Sequence, residues 1–331
     1  MRTSILAAFA TGAAECATID YSYLNDPLVG STNGATTLVA VNNHGDILGG
    51  SYTVGSGGFM NTFIYSNGVF SYLDLPGFVG FDINDQDQIV GSMYVGQVYS
   101  PVVVQNNQLQ QILSFPGATA TWGEGINNSG AVVGEYTDGN DPPHHAFLYF
   151  NGIYTDLGVP GDSFATGINN LGEIVGDYWI GSQCHGFTWM NGSYTTLDPP
   201  GFLIPGFTGI NDQGEIVGDG FFYGDGVFTE IPPAAGWLAE LSSINNGGEM
   251  VGSAGNQGLI AEAVPEPGTF IEASLAAMVL VALQLRRRRS TRLRLRRSWL
   301  AQDSVGCMNQ PAPAIREIET LEADLRLGRA E

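Results

Sequence analysis

The chain contains no lysine. All twelve of its cationic residues are arginines, and only Arg2 precedes Arg286. Between Thr18 and Val264 there are 24 acidic residues and neither lysine nor arginine. Such a surface repels a phosphate backbone, which excludes nucleic acid as a partner of this region. It also suits an exported protein that must stay soluble. Cysteine is scarce: Cys16, Cys184 and Cys307 fall in three separate regions, so no disulfide framework can form. The four histidines, His44, His144, His145 and His185, show no metalloprotease spacing. No nucleophile beside a base and no phosphate-cradling loop stands out. The expectation is a chain that is not an enzyme and carries no cofactor. Asp82, Asp85 and Asp87, and Asp138 and Asp141, make oxygen-rich loops. Neither has an EF-hand layout, and turn formation accounts for them, with calcium as the lesser reading.

Repetition is abundant instead. "INNLGEIVG" at residues 168–176 has near-copies at 41–49, 83–91, 126–134, 210–218 and 244–252, spaced 42, 43, 42, 42 and 34 residues apart. A fixed period of this size is the mark of a repeat architecture. Each copy ends one strand, supplies Asn and Gly for a tight turn and opens the next. Within the unit from Ile168 to Gly209, strands are expected at 173–179, 185–190, 193–198 and 206–211. The pair Asn191-Gly192 forms the type I′ turn between the second and third. Four short strands in about 42 residues describe a propeller blade. Five full units lie between the six motifs. Residues 18–42 and 249–262 hold complementary partial units that would pair to close a sixth blade. Closure removes exposed sheet edges. The fold expected is all-β: a six-bladed propeller over 18–262.

The ends read as targeting signals. Residues 1–17, with Arg2 ahead of a short apolar run, resemble a signal peptide. Residues 269–285 are mostly apolar and are followed by Arg286, Arg287, Arg288 and Arg289. That arrangement predicts a short transmembrane helix with the arginines on the cytoplasmic side and the repeats outside.

His145-Ala-Phe147, within the unit that also holds "INNSGAVVG", "NGIYTDL" and "PG", resembles the bacterial extracellular HAF repeat family. The likeness covers about residues 18–262, with His185-Gly-Phe187 and Asn61-Thr-Phe63 as variants of the triplet. In the second and fifth units the triplet is unrecognisable. Val264-Pro265-Glu266-Pro267, the apolar run and the arginine cluster, over 263–289, are similar to a PEP-CTERM sorting signal. The resemblance implies recognition by an exosortase and export in a Gram-negative organism, often one that makes extracellular polysaccharide. The 42 residues beyond Arg289 depart from it, since such signals stop soon after the basic cluster. Among the aromatics, Trp189 is expected in the core and Trp237 in an exposed, ligand-contacting loop. His145 and His185 occupy equivalent positions, which suggests a shared structural role. The function expected is a membrane-tethered or exosortase-processed surface or matrix binding module, with exopolysaccharide as a candidate partner. The alternative is an extracellular carbohydrate-active enzyme with two carboxylates facing across the central channel.

Overall fold

The computed structural model describes residues 3–5, 18–28, 34–53, 61–95, 98–139 and 143–264. The apolar run at 269–285, Pro265 to Pro267, Arg286 to Arg289 and the tail lie outside them, as does most of the leader. Among the described residues there is no helix, and hence none that could cross a membrane. The described chain is built from four-stranded antiparallel sheets, one per repeat.

Blade 1 comprises Gly34–Val41, Ile47–Thr53, Asn61–Ser66 and Val69–Tyr72, in that order from the axis outward. Blades 2, 3 and 4 repeat the plan from inner strands Phe78–Ile83, Ala120–Ile126 and Asp162–Ile168. Blade 5 starts at Phe207–Ile210 and is compressed, its second strand shrinking to Ile216–Gly218. Blade 6 comprises Glu240–Ile244, Glu249–Ala254 and Gln257–Val264, and its outer strand is Thr18–Leu24 from the other end of the chain. Thr18 pairs with Val264 and Leu24 with Gly258, so the ring closes through seven residue pairs. A short strand, Thr3–Ile5, lies outside Thr18–Leu24.

The number of blades is therefore the one the repeats imply, but the division between them is not. The strand before each nonapeptide is the innermost strand of the same blade, so the motif is a hairpin within a sheet and not a joint between blades. Residues 206–211 belong to the following blade, and 36–42 open blade 1 instead of completing blade 6. Periodicity fixes the length of a unit but leaves its phase free.

Packing explains the period. Val175, Phe187 and Val132 are fully buried, and the clusters they join run from one blade to the next. The final Gly of the motif is required by a close approach. A Cβ on Gly176 would stand 2.0 Å from the Phe164 carbonyl and 2.9 Å from the Phe187 ring. Phe187 is the aromatic of the repeat's triplet and pairs directly with Gly176. The same partnership joins Gly134 to Phe147 and Gly49 to Phe63. In blades 2 and 5 the partners are Val102 and Phe221, so the place is filled even where the triplet is unrecognisable.

Closure is latched by Asp26, which is buried at the crossing from blade 6 to blade 1. Its carboxylate accepts from Ser51 Oγ at 2.6 Å, Tyr72 Oη at 2.7 Å and the Leu28 amide at 2.9 Å.

Candidate functional site

Six inner strands run in the same direction, so the propeller has two different mouths. The nonapeptide turns form one. The loops that lead between blades, together with the hairpins from second to third strands, form the other.

The first mouth is built from the two adjacent Asx residues of the motif. In every blade the first Asn places its Oδ1 over its own turn: Asn169 Oδ1 accepts from the Leu171 and Glu173 amides at 3.0 and 2.9 Å. Its Nδ2 donates to the carbonyl of the equivalent residue in the next blade. The sequence runs Asn42, Asn84, Asn127, Asn169, Asn211, Asn245 and back to Asn42, with distances from 3.0 to 3.3 Å. A second ring lies beside it. The amides of Asn43, Asp85, Asn128, Asn170, Asp212 and Asn246 each donate to the next residue's side-chain oxygen at 2.7–2.8 Å, and this circle also closes. Buried polar groups are costly unless paired. Here the pairing is supplied by the neighbouring blade, so these groups also fix blade against blade.

Asp85 and Asp212 fall three blades apart in a ring of six, and therefore stand opposite one another. Asp85 accepts from the Asn43 amide and Nδ2 and from Asn128 Nδ2, which holds its pKa below the usual value against the opposing effect of burial. Asp212 accepts from the equivalent atoms of Asn170 and Asn246. Two carboxylates thus face across the channel, with oxygens already engaged. Asp87 is an exposed turn residue with φ of 58°, as turn formation requires. Asp82 has no such role: it occupies the place that glycine fills in three other blades. Its Oδ1 and Oδ2 accept from the Ile83 and Ile126 amides, both at 2.8 Å. Burial raises its pKa to about 7.

Glu124 lines the channel beside the Asx residues of the first mouth, and burial raises its pKa to about 7. Glu135 is only 9% exposed, its Oε2 has no hydrogen-bond partner, and its pKa is raised by burial and by repulsion from Glu124 and Asp162. The equivalent residue of blade 4, Asp177, has an unpartnered buried Oδ1, while Oδ2 accepts from the Phe207 amide at 3.1 Å. Its pKa is about 7, through burial and the nearby Asp219 and Asp198. The loops of the second mouth carry exposed apolar side chains, Ile180, Leu203, Ile204, Trp237 and Leu238. Trp237 is 62% exposed, carried on the tight turn from Ala234 that Ala235 and Gly236 make with positive φ.

Other sequence expectations are placed as follows. Trp189 is buried, with Nε1 donating to the Leu157 carbonyl at 3.1 Å. His145 and His185 lie against Tyr136 and Tyr178, both with ring centroids 5.2 Å apart. Cys184 is a buried thiol whose pKa burial pushes up to about 11, far from thiolate reactivity. Among the described residues no group of three or more His, Cys, Asp or Glu side chains is arranged to hold a metal ion. Sequence reasoning took the repeated Asn residues for turn formers. Their second role, between blades, was signalled by an Asx pair recurring at one phase of the repeat.

The fold and these mouths define a closed six-bladed β-propeller. No family model and no curated protein matches the chain. A gluconolactonase of Xanthomonas campestris matches with a TM-score of 0.50 and 12% identity, covering 75% of this chain and 90% of that one. Another structure assigned as a gluconolactonase gives 0.47 at 14% identity, covering 76% and 93%. YCF48 bound to D1 peptide gives 0.43 at 11%, covering 78% and 99%. At these identities the likeness is one of fold. It corrects the expectation that the chain is not an enzyme: a gluconolactonase shares the scaffold, so an absence of familiar motifs is no ground for excluding catalysis.

Proposed function

We propose that the chain is an exported propeller that holds a matrix polymer, exopolysaccharide above all, against its second mouth. The observation that supports this reading is the asymmetry of the mouths. One is closed by two hydrogen-bonded rings, while the other carries Trp237, Leu203 and Ile204 exposed on its loops between blades. Aromatic side chains on an otherwise polar rim are what a sugar ring packs against. In this reading the signal-like residues 1–17 direct export, and Pro265-Glu266-Pro267 with Arg286 to Arg289 present the chain to an exosortase and the membrane. A glycan array probed with the full chain and with Trp237→Ala tests it. Selective binding that falls about tenfold in the variant is expected. Equal binding by the variant, or none by the parent, removes the reading. Processing is tested separately: Glu266→Ala should block cleavage in an exosortase-bearing host without preventing membrane insertion.

A second reading rests on Asp85 and Asp212, opposed across the channel. A hydrolase acting on a glycoside or lactone could use such a pair. Asp85→Asn with Asp212→Asn changes each to the residue that four other blades already carry, so the ring should survive. Loss of a measured hydrolytic activity with retained melting behaviour would support this reading, and unchanged activity would refute it.

A further inference from the structure

Trp237 is exposed, yet its position is fixed from two sides. Its backbone exchanges hydrogen bonds with that of Ala234, at 2.9 and 3.0 Å, across the two-residue turn that precedes it. The indole itself lies against Gly255, in the turn between the second and third strands of blade 6. A Cβ on Gly255 would stand 3.1 to 3.3 Å from Cδ2, Cε2 and Cγ of the ring. Glycine thus lets the backbone of one loop support the aromatic ring of another, and most of that ring is left to solvent.

The ground around the ring is polar. Trp237 shares a depression of about 510 Å³ with Glu240, Asn256 and Gln257, all three exposed. Among the described residues the amide side chains of Asn256 and Gln257 have no hydrogen-bond partner. Each offers two N–H donors and a carbonyl acceptor. Glu240 takes one long bond, from Ser253 Oγ at 3.3 Å, and keeps acceptor capacity to spare. A supported aromatic face with free amides and an acceptor beside it matches a sugar, whose C–H face is apolar and whose edge is hydroxyl. Charge then decides which sugar. Glu240 pairs through its backbone with Asp219, so two carboxylates meet at this edge. Neither lysine nor arginine occurs from Thr18 to Val264 to receive an acidic group.

We infer that Trp237, Asn256, Gln257 and Glu240 form a subsite for one uncharged hexose unit of a polymer, and that this subsite rejects uronic acids. The inference rests on the polymer-binding reading and narrows its ligand.

The test measures binding of the full chain, in mild detergent, to three matched pairs of polymers: a glucan and a glucuronan, a mannan and a polymannuronate, a galactan and a polygalacturonate. In at least one pair the neutral member should bind about tenfold or more tightly than its uronate, the scale of one unfavourable charge contact. The preference should persist near 1 M salt, where the screening length is about 3 Å and only local contacts remain. Asn256→Ala with Gln257→Ala touches nothing else in the fold and should weaken the neutral polymer about tenfold at unchanged melting temperature. A uronate bound as tightly as its neutral partner would overturn the inference and leave the polymer reading standing. Loss of the preference in high salt, which would show general repulsion, or undiminished binding by the double variant would overturn it in the same way. Binding to none of the six polymers would remove the polymer reading itself, and the subsite with it.

Discussion

At the scale of the residue, the nonapeptide is a list of separate physical duties. Ile168 and Ile174 are buried, Asn169 and Asn170 join the rings, Gly172 takes φ of 83°, and Gly176 yields to Phe187. The Asn169 side chain makes three hydrogen bonds: two to its own turn, and one to the Asn211 carbonyl at 3.0 Å. Asn169→Ala should therefore destabilise the protein by about 2–4 kcal/mol, since the buried amides lose their acceptor as well as the contact between blades. Denaturant unfolding would show it, and a loss below ~1 kcal/mol would mean water replaces the side chain. The buried carboxyls make a second prediction. Asp82, Glu124 and Asp177 each have a folded-state pKa of about 7, against ordinary values near 4. The folded state thus binds these protons more tightly than the unfolded chain. Their contribution is fully present below about pH 4, declines as pH rises towards 7, and is gone above it. Melting temperature should fall from about pH 5 to pH 8, opposite to a protein whose carboxylates are paired with arginine. Asp82→Asn should flatten that slope.

At the scale of the element, the inner strand shows how much the sequence discloses. Its existence, its strand character and the hairpin after it were all readable from "GFTGIN" and the motif. Its membership of one blade or the next was not, because that depends on hydrogen bonding between strands more than on local pattern. Each inner strand also shifts register two residues before the motif's Ile, at Thr166 in blade 4 and Thr208 in blade 5. The freed hydroxyls donate to the next blade's backbone, Thr166 to the Phe207 carbonyl at 2.6 Å and Thr208 to that of Leu241 at 2.8 Å. A bulge of this kind leaves no mark on hydrophobic alternation. Phe221 was hidden for another reason: blade 5 lacks the eight residues that would align it, the difference between 42 and 34. The latch is an element-scale device too. Asp26→Ala removes three charge-assisted bonds and should cost about 3–5 kcal/mol. Because it frees the strand Thr18–Leu24, hydrogen exchange should rise first in Gln257–Val264, its partner. Uniform exchange across all blades would show that Asp26 supports blade 1 and not closure.

At the scale of the whole molecule, the count of six was legible because a ring must close, and the complementary ends supplied the missing strand. The second mouth was not, since Glu135, Asp162, Asp177 and Asp219 come from three blades and meet only once the ring is formed. What the sequence does declare at this scale is charge, and charge decides how the chain meets a protease. Trypsin cuts after lysine or arginine, and neither occurs from Thr3 through Leu285. The propeller should therefore resist trypsin folded or unfolded, a chemical resistance that boiling does not remove. A protease that cuts after aromatic residues should behave differently, because Phe63, Phe147 and Phe187 are buried in closed blades and reachable only after unfolding. The contrast separates sequence from fold in one experiment. On sealed cells, a chain with its repeats outside and Arg286 to Arg289 inside would keep its full length under trypsin, and opened cells would lose the arginine-bearing tail. Trimming of the tail on sealed cells would place those arginines outside and refute the proposed topology. Protection of the tail in opened cells as well would show that it is shielded by something other than the membrane.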